Sequence, residues 1–186
     1  MALISQADLE AKLGRTLTNA EENAFTSTNN ALQAEAEKII GSSTEAQALS
    51  YRYYDGGVQH LSIDPCTDIS AIDLVDDDQV STYVYDTTDY TKEPINKTLK
   101  RYIRHRSGAF VTGINNIRVQ AKYSIQGDTD TLAIVKDALL EALASEIINT
   151  DNIKRESIEG YSIEYATTET KDALKRIMYL FPQVEF

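Results

Sequence analysis

The sequence predicts an α+β protein, a helical bundle of about four helices with an inserted antiparallel β domain. Three observations predict it. Apolar residues recur at helical spacing before residue 48 and again after 126, they alternate one-in-two between 49 and 125, and turn residues gather in that middle stretch. Residues 1–48 and 126–186 are therefore expected to form the helical core, and 49–125 the inserted β domain.

Each element has its own signal. Ser5 with Asp8 opens a short helix that runs to about Leu13, and Gly14 can end it. Thr18 with Glu21 opens a second, whose stripe of Phe25, Leu32, Ala36 and Ile39 is interrupted by Asn29 and closed by Gly41. Asp55-Gly56-Gly57 reads as a turn between β-prone flanks. The segments "ISAIDLV" and "STYVY" read as strands on either side of Asp76-Asp77-Asp78, with Pro65 and Pro94 as loop residues. In "NNIRVQAKYSI", Ile117, Val119, Ala121 and Tyr123 fall on one face and Arg118, Gln120 and Lys122 on the other, the clearest strand in the chain.

The helical rhythm then returns. Leu132, Val135, Leu139, Leu143 and Ile147 form a stripe, and Ile134, Leu140 and Ile148 extend it to further sides, so this helix is expected to be widely buried. A last helix points Ala173, Leu174, Ile177, Met178 and Phe181 inward and stops at Pro182. Between these two helices, Tyr161, Ile163 and Tyr165 alternate with Ser162 and Glu164, as an extended strand would.

Composition narrows the function. The 186 residues carry 29 acids and 18 bases, a net charge of −11, which argues against a surface that wraps nucleic acid. No apolar run reaches the roughly 18 residues of a bilayer span, and "MALISQADLE" lacks the pattern of a secretory signal, so synthesis in the cytoplasm and no membrane partner are expected. The one cysteine, Cys66, cannot form a disulfide within the chain, and its neighbours include no activating base. His60 and His105 are far apart without acids at ligand spacing, and the acidic triplet lacks the spaced oxygens of a calcium loop. No catalytic motif is present; no cofactor, metal or enzymatic activity is expected.

One charged constellation stands out. Lys97, Lys100, Arg101, Arg104 and Arg106 place five cations in ten residues without an acid, interleaved with Tyr102 and Ile103. Such a run suits a phosphate backbone or an acidic protein surface, and it equally suits a solvated strand balanced by acids elsewhere. In a chain this acidic, another copy of itself is as natural a partner as DNA.

Several segments, in order along nearly the whole chain, resemble the head–tail connector (head-completion or adaptor) proteins of tailed bacteriophages. The similar stretches are "ADLEAKLGRTLTNAEENAFTSTNNALQAEAEKIIG", "RYYDGGVQHLSID", "DYTKEPINK" with "VTGINNIRVQAKYSI", "IEGYSIEYA" and the closing "LFPQVEF". The match departs at Tyr161, where such proteins often have an acidic residue. The resemblance implies a structural, non-enzymatic virion protein that forms a ring, usually of twelve copies, beneath the portal protein. Such a ring extends the DNA channel, lets DNA pass without sequence-specific binding, and docks the stopper or tail-completion protein. It implies a place in the neck of a virion, at the head–tail interface. A ring of subunits this acidic sets on the order of a hundred negative charges around the channel, which keeps DNA from sticking. A non-phage or tail-side ring adaptor is the alternative, and an enzyme whose site forms between subunits is the third class. Val184 and Phe186, beyond the last helix, are expected to dock on the portal, the basic run on a neighbouring acidic surface, and Tyr161, Ile163 and Tyr165 on an adjoining chain.

Overall fold

The computed structural model describes residues 3–150 and 168–181. It contains four helices and six strands, an α+β fold whose strands pair antiparallel. The described residues separate into two compact units, 3–40 with 130–181, and 41–129.

The first unit is helical. Helix α1 (Gln6–Leu13) starts at Ser5, whose hydroxyl and backbone exchange bonds with Asp8 in a full capping box, and ends where Gly14 takes φ +69°. Helix α2 (Asn19–Ile40) is opened by the reciprocal Thr18–Glu21 pair. Its buried face consists of Glu21, Asn29, Leu32, Ala36 and Ile40, which corrects the expected stripe: Phe25 and Ile39 are only half-buried. Asn29 is the anchor of that face. Its amide donates to the Ile4 carbonyl at 3.0 Å, tying the chain before α1 to the middle of α2 and satisfying a group that burial would otherwise penalise.

Helix α3 (Thr129–Thr150) and helix α4 (Thr168–Leu180) complete this unit, with α4 packed on α2. Val135, Leu139, Leu143 and Ile147 of α3 are fully buried, as are Ile177 and nearly Ala173 of α4. Ile134 and Ile148 are instead 43% exposed, and Met178 46%, so both helices are amphipathic and less enclosed than their apolar content suggests. Lys136 of α3 reaches Asp8 of α1 at 3.0 Å, and Arg176 of α4 pairs with Glu141 of α3.

The second unit is a six-stranded sheet in the order β1-β6-β2-β5-β4, with β3 attached to the end of β2. The strands are β1 (Ser50–Tyr54), β2 (His60–Val75), β3 (Ser81–Val84), β4 (Tyr90–Glu93), β5 (Lys100–His105) and β6 (Ile117–Lys122). Its core is Leu61, Ile63, Cys66, Ile72, Ile103, Phe110, Ile117 and Val119, with Tyr123 capping one end. Burial in this core pushes the Cys66 thiol up to about 12, so it stays an inert packing group.

Asp55-Gly56-Gly57 lies between strands β1 and β2, as expected of a turn with β-prone flanks, but those strands do not pair with each other: β1 pairs with β6, and Gly56 and Gly57 donate to the carbonyls of Gly113 and Phe110. A Cβ on Gly56 would lie 1.9 Å from the Val111 carbonyl oxygen, so the close approach requires glycine. Pro65 is not a loop residue but lies inside β2, buried, where the β2–β5 register slips between Ser62 and Cys66. A bulge is the one place in a sheet interior where a residue without an N–H removes no ladder bond.

Candidate interaction surface

The five cations of the basic run do not form one surface. Strand alternation places Lys100 and Arg104 on one face of β5, and Arg101 on the other with fully buried Ile103. Arg104 Nε lies 3.1 Å from Glu93 on β4, and Arg106 Nε donates to Thr91 at 3.1 Å. Burial lowers the pKa of Arg101 from its ordinary value.

Lys100 has a structural task. Its ammonium donates to the carbonyls of Pro94, Ile95 and Lys97, three acceptors of the β4–β5 turn. The Lys97 amide closes the same turn onto Pro94. A half-buried point charge with three donors is suited to this, because it holds carbonyls that no ladder satisfies. Its pKa is lowered, first by burial and then by the nearby Lys92. The turn therefore presents a fixed knob: Ile95, 66% exposed, beside Lys97, whose ammonium has no partner among the described residues.

A second feature lies on the outward face of the sheet. Tyr53, Arg118, Asp73 and Val84 occupy one rung across β1, β6, β2 and β3. Arg118 grips Asp73 Oδ2 through Nε at 3.0 Å and Nη2 at 2.5 Å, donates to the Gln79 carbonyl, and lies under the Tyr51 ring at 4.7 Å. That bonding raises the arginine's pKa further, chiefly through Asp73.

Beside this rung is a cleft of about 430 Å³ lined by Tyr53, Val75, Asp76, Asp77, Ile114 and Asn115. Its two walls are built separately. Asp76 accepts from the amides of Asp78 and Val80 and so shapes the β2–β3 tip, while Asp55 accepts from the Asn115 amide and holds the 111–116 loop opposite. Ile114 on the rim is 83% exposed, and the Asp77 carboxylate has no partner among the described residues. The sequence gives little notice of this cleft, because its lining comes from three distant segments; only the acidic triplet marks one wall.

Tyr161, Ile163, Tyr165, Val184 and Phe186 lie outside the described residues. His60 is exposed, and His105 packs edge-on against Tyr85 and Phe110, with centroids 5.8 and 5.2 Å away. Among the described residues no cluster of three His, Cys, Asp or Glu could hold a metal ion, and no helix is long and apolar enough to cross a membrane.

No protein-family model matches the chain, and no curated protein matches it by sequence. Solved structures match it by fold. A chain of the neck of an empty gene transfer agent particle, computed with C6 symmetry, superposes with a TM-score of 0.55 at 14% identity, covering 94% of this chain and 88% of that one. A chain of the virion of the native gene transfer agent particle superposes with a TM-score of 0.51 at 16% identity, covering 99% and 91%.

Proposed function

We propose that this chain is a structural neck protein of a phage-like particle, a head–tail connector whose copies form a ring beneath the portal. The observation that carries this reading is the shared fold with a gene transfer agent neck chain over 94% of this chain and 88% of that one. A match that covers most of both chains favours the same kind of building block over a borrowed subdomain. The ring extends the channel through which DNA passes, offers a surface to the stopper or tail-completion protein, and performs no chemistry. A net charge of −11 per copy supports a wall that repels DNA. The residues after Pro182 attach the ring to the portal through Val184 and Phe186, and Tyr161, Ile163 and Tyr165 add a strand to a neighbouring chain.

Purified protein mixed with portal rings and imaged by negative stain tests the reading. An added coaxial layer is expected; protein that stays off the portal overturns it. A chain ending at Phe181 should lose that layer, and normal attachment of the shortened chain would refute the role of the tail. Amide exchange over 161–165 should slow on assembly, and an unchanged rate removes the added strand.

A further inference from the structure

We infer that the copy-to-copy contact is a knob-and-cleft joint between β units: the β4–β5 turn of one copy, led by Ile95 and Lys97, enters the cleft between Asp76-Asp77 and Ile114 of the next. This rests on the ring reading above and names the acidic surface that Lys97, the member of the basic run on the turn, meets.

The two features are complementary in shape and charge. The knob is an exposed isoleucine beside a lysine without a partner, and the cleft is an exposed isoleucine and a tyrosine beside an aspartate without a partner. Apolar contact at the centre with an ion pair at the rim is the arrangement protein interfaces favour. The knob is also rigid before it binds, since Lys100 holds three of its carbonyls, so little ordering entropy opposes docking. Arg118 does not neutralise the cleft, because its charge is already matched by Asp73.

Knob and cleft of one copy cannot meet. Thr98 and Thr67 both lie against Gly127 at one end of the β2–β6 ladder, whereas the cleft opens past Val75 at the other. The ladder between them, from Lys122 to Ile117 on β6, is about 17 Å long. Two different patches at opposite ends of one subunit permit a head-to-tail contact, which closes into a ring when its rotation permits. A twofold dimer would instead seat each copy's knob in the other's cleft within one reciprocal interface and stop at two copies, so linked species larger than a dimer mark the ring.

The full-length protein carrying Asn96→Cys and Asn115→Cys tests this, because both substitutions keep the charges and Cys66 is buried. Mild oxidation should yield a ladder of disulfide-linked oligomers, and either single substitution none beyond a dimer. Independently, Asp77→Lys or Lys97→Glu should each weaken self-association at least about tenfold by sedimentation, and the two together should restore it. Oligomers seen by native mass spectrometry without the ladder, or without charge-swap rescue, overturn the joint and leave the ring reading standing. A chain that stays monomeric at every concentration overturns the joint, and if it also adds no layer to portal rings it overturns the ring reading. If Asp77→Lys abolishes attachment to tail proteins but leaves self-association intact, the cleft belongs to a different partner and the joint is wrong.

Discussion

At the scale of single residues, charged groups are tied down where the fold needs geometry. Glu21 shows it best: Arg15 binds both carboxylate oxygens, the Thr18 amide adds a third bond, and the carboxyl is held down at about 2. Asp8 is held at about 2 as well, mainly by its bonds to Ser5. Both folded values lie below the unfolded ones, so the stabilisation is complete above roughly pH 4.5 and drains away as pH falls toward 2. Acid titration followed by circular dichroism should show helix loss in that window, and Glu21→Gln should flatten part of the slope; an unchanged profile would contradict the assignment. Capping pairs of this kind were legible, because Ser5–Asp8 and Thr18–Glu21 are three residues apart. The burial of Asn29 was not, since its partner is the Ile4 carbonyl, 25 residues away.

At the scale of elements, period decided what could be read. Strand β6 alternates strictly and is found as expected, and the 76–80 turn links β2 to β3 as the acidic triplet suggests. Asp55-Gly56-Gly57 was legible as a turn between strands but not in its contacts, because a glycine pair signals backbone freedom without saying what uses it. Here the freedom serves close packing against the 110–113 segment, which no local pattern reveals. Gly56→Ala should accordingly destabilise the β unit by about 1–3 kcal/mol, as overpacking does. Urea unfolding measures it, and a change below 0.5 kcal/mol would mean the loop yields freely. Pro65 departs from the loop its sequence suggests, because a proline excludes an ordinary ladder position but not a bulge. The basic run was legible as charge, while its partition between two faces and a turn followed from a register that the sequence does not announce. The cleft was legible on one wall only.

At the scale of the molecule, acidity bears on the proposed assembly. A surface with an excess of eleven negative charges should not retain duplex DNA in a gel-shift assay at about 0.1 M salt, and firm retention would refute a repelling channel wall. The proposed self-association through a few matched charges would have to overcome that same excess, so its specificity would lie in where the knob and cleft sit and not in net attraction. One feature of the fold bears on how such a subunit would withstand strain. Strand β2, sixteen residues long, bonds to β5 through its first half and to β6 and β3 through its second. Neither half-sheet can come apart without it, so the β unit has no internal seam at which to yield. Amide exchange should therefore find β5 and β6 opening together, at one rate, as a single girder rather than two hinged plates; separate rates would show a seam after all.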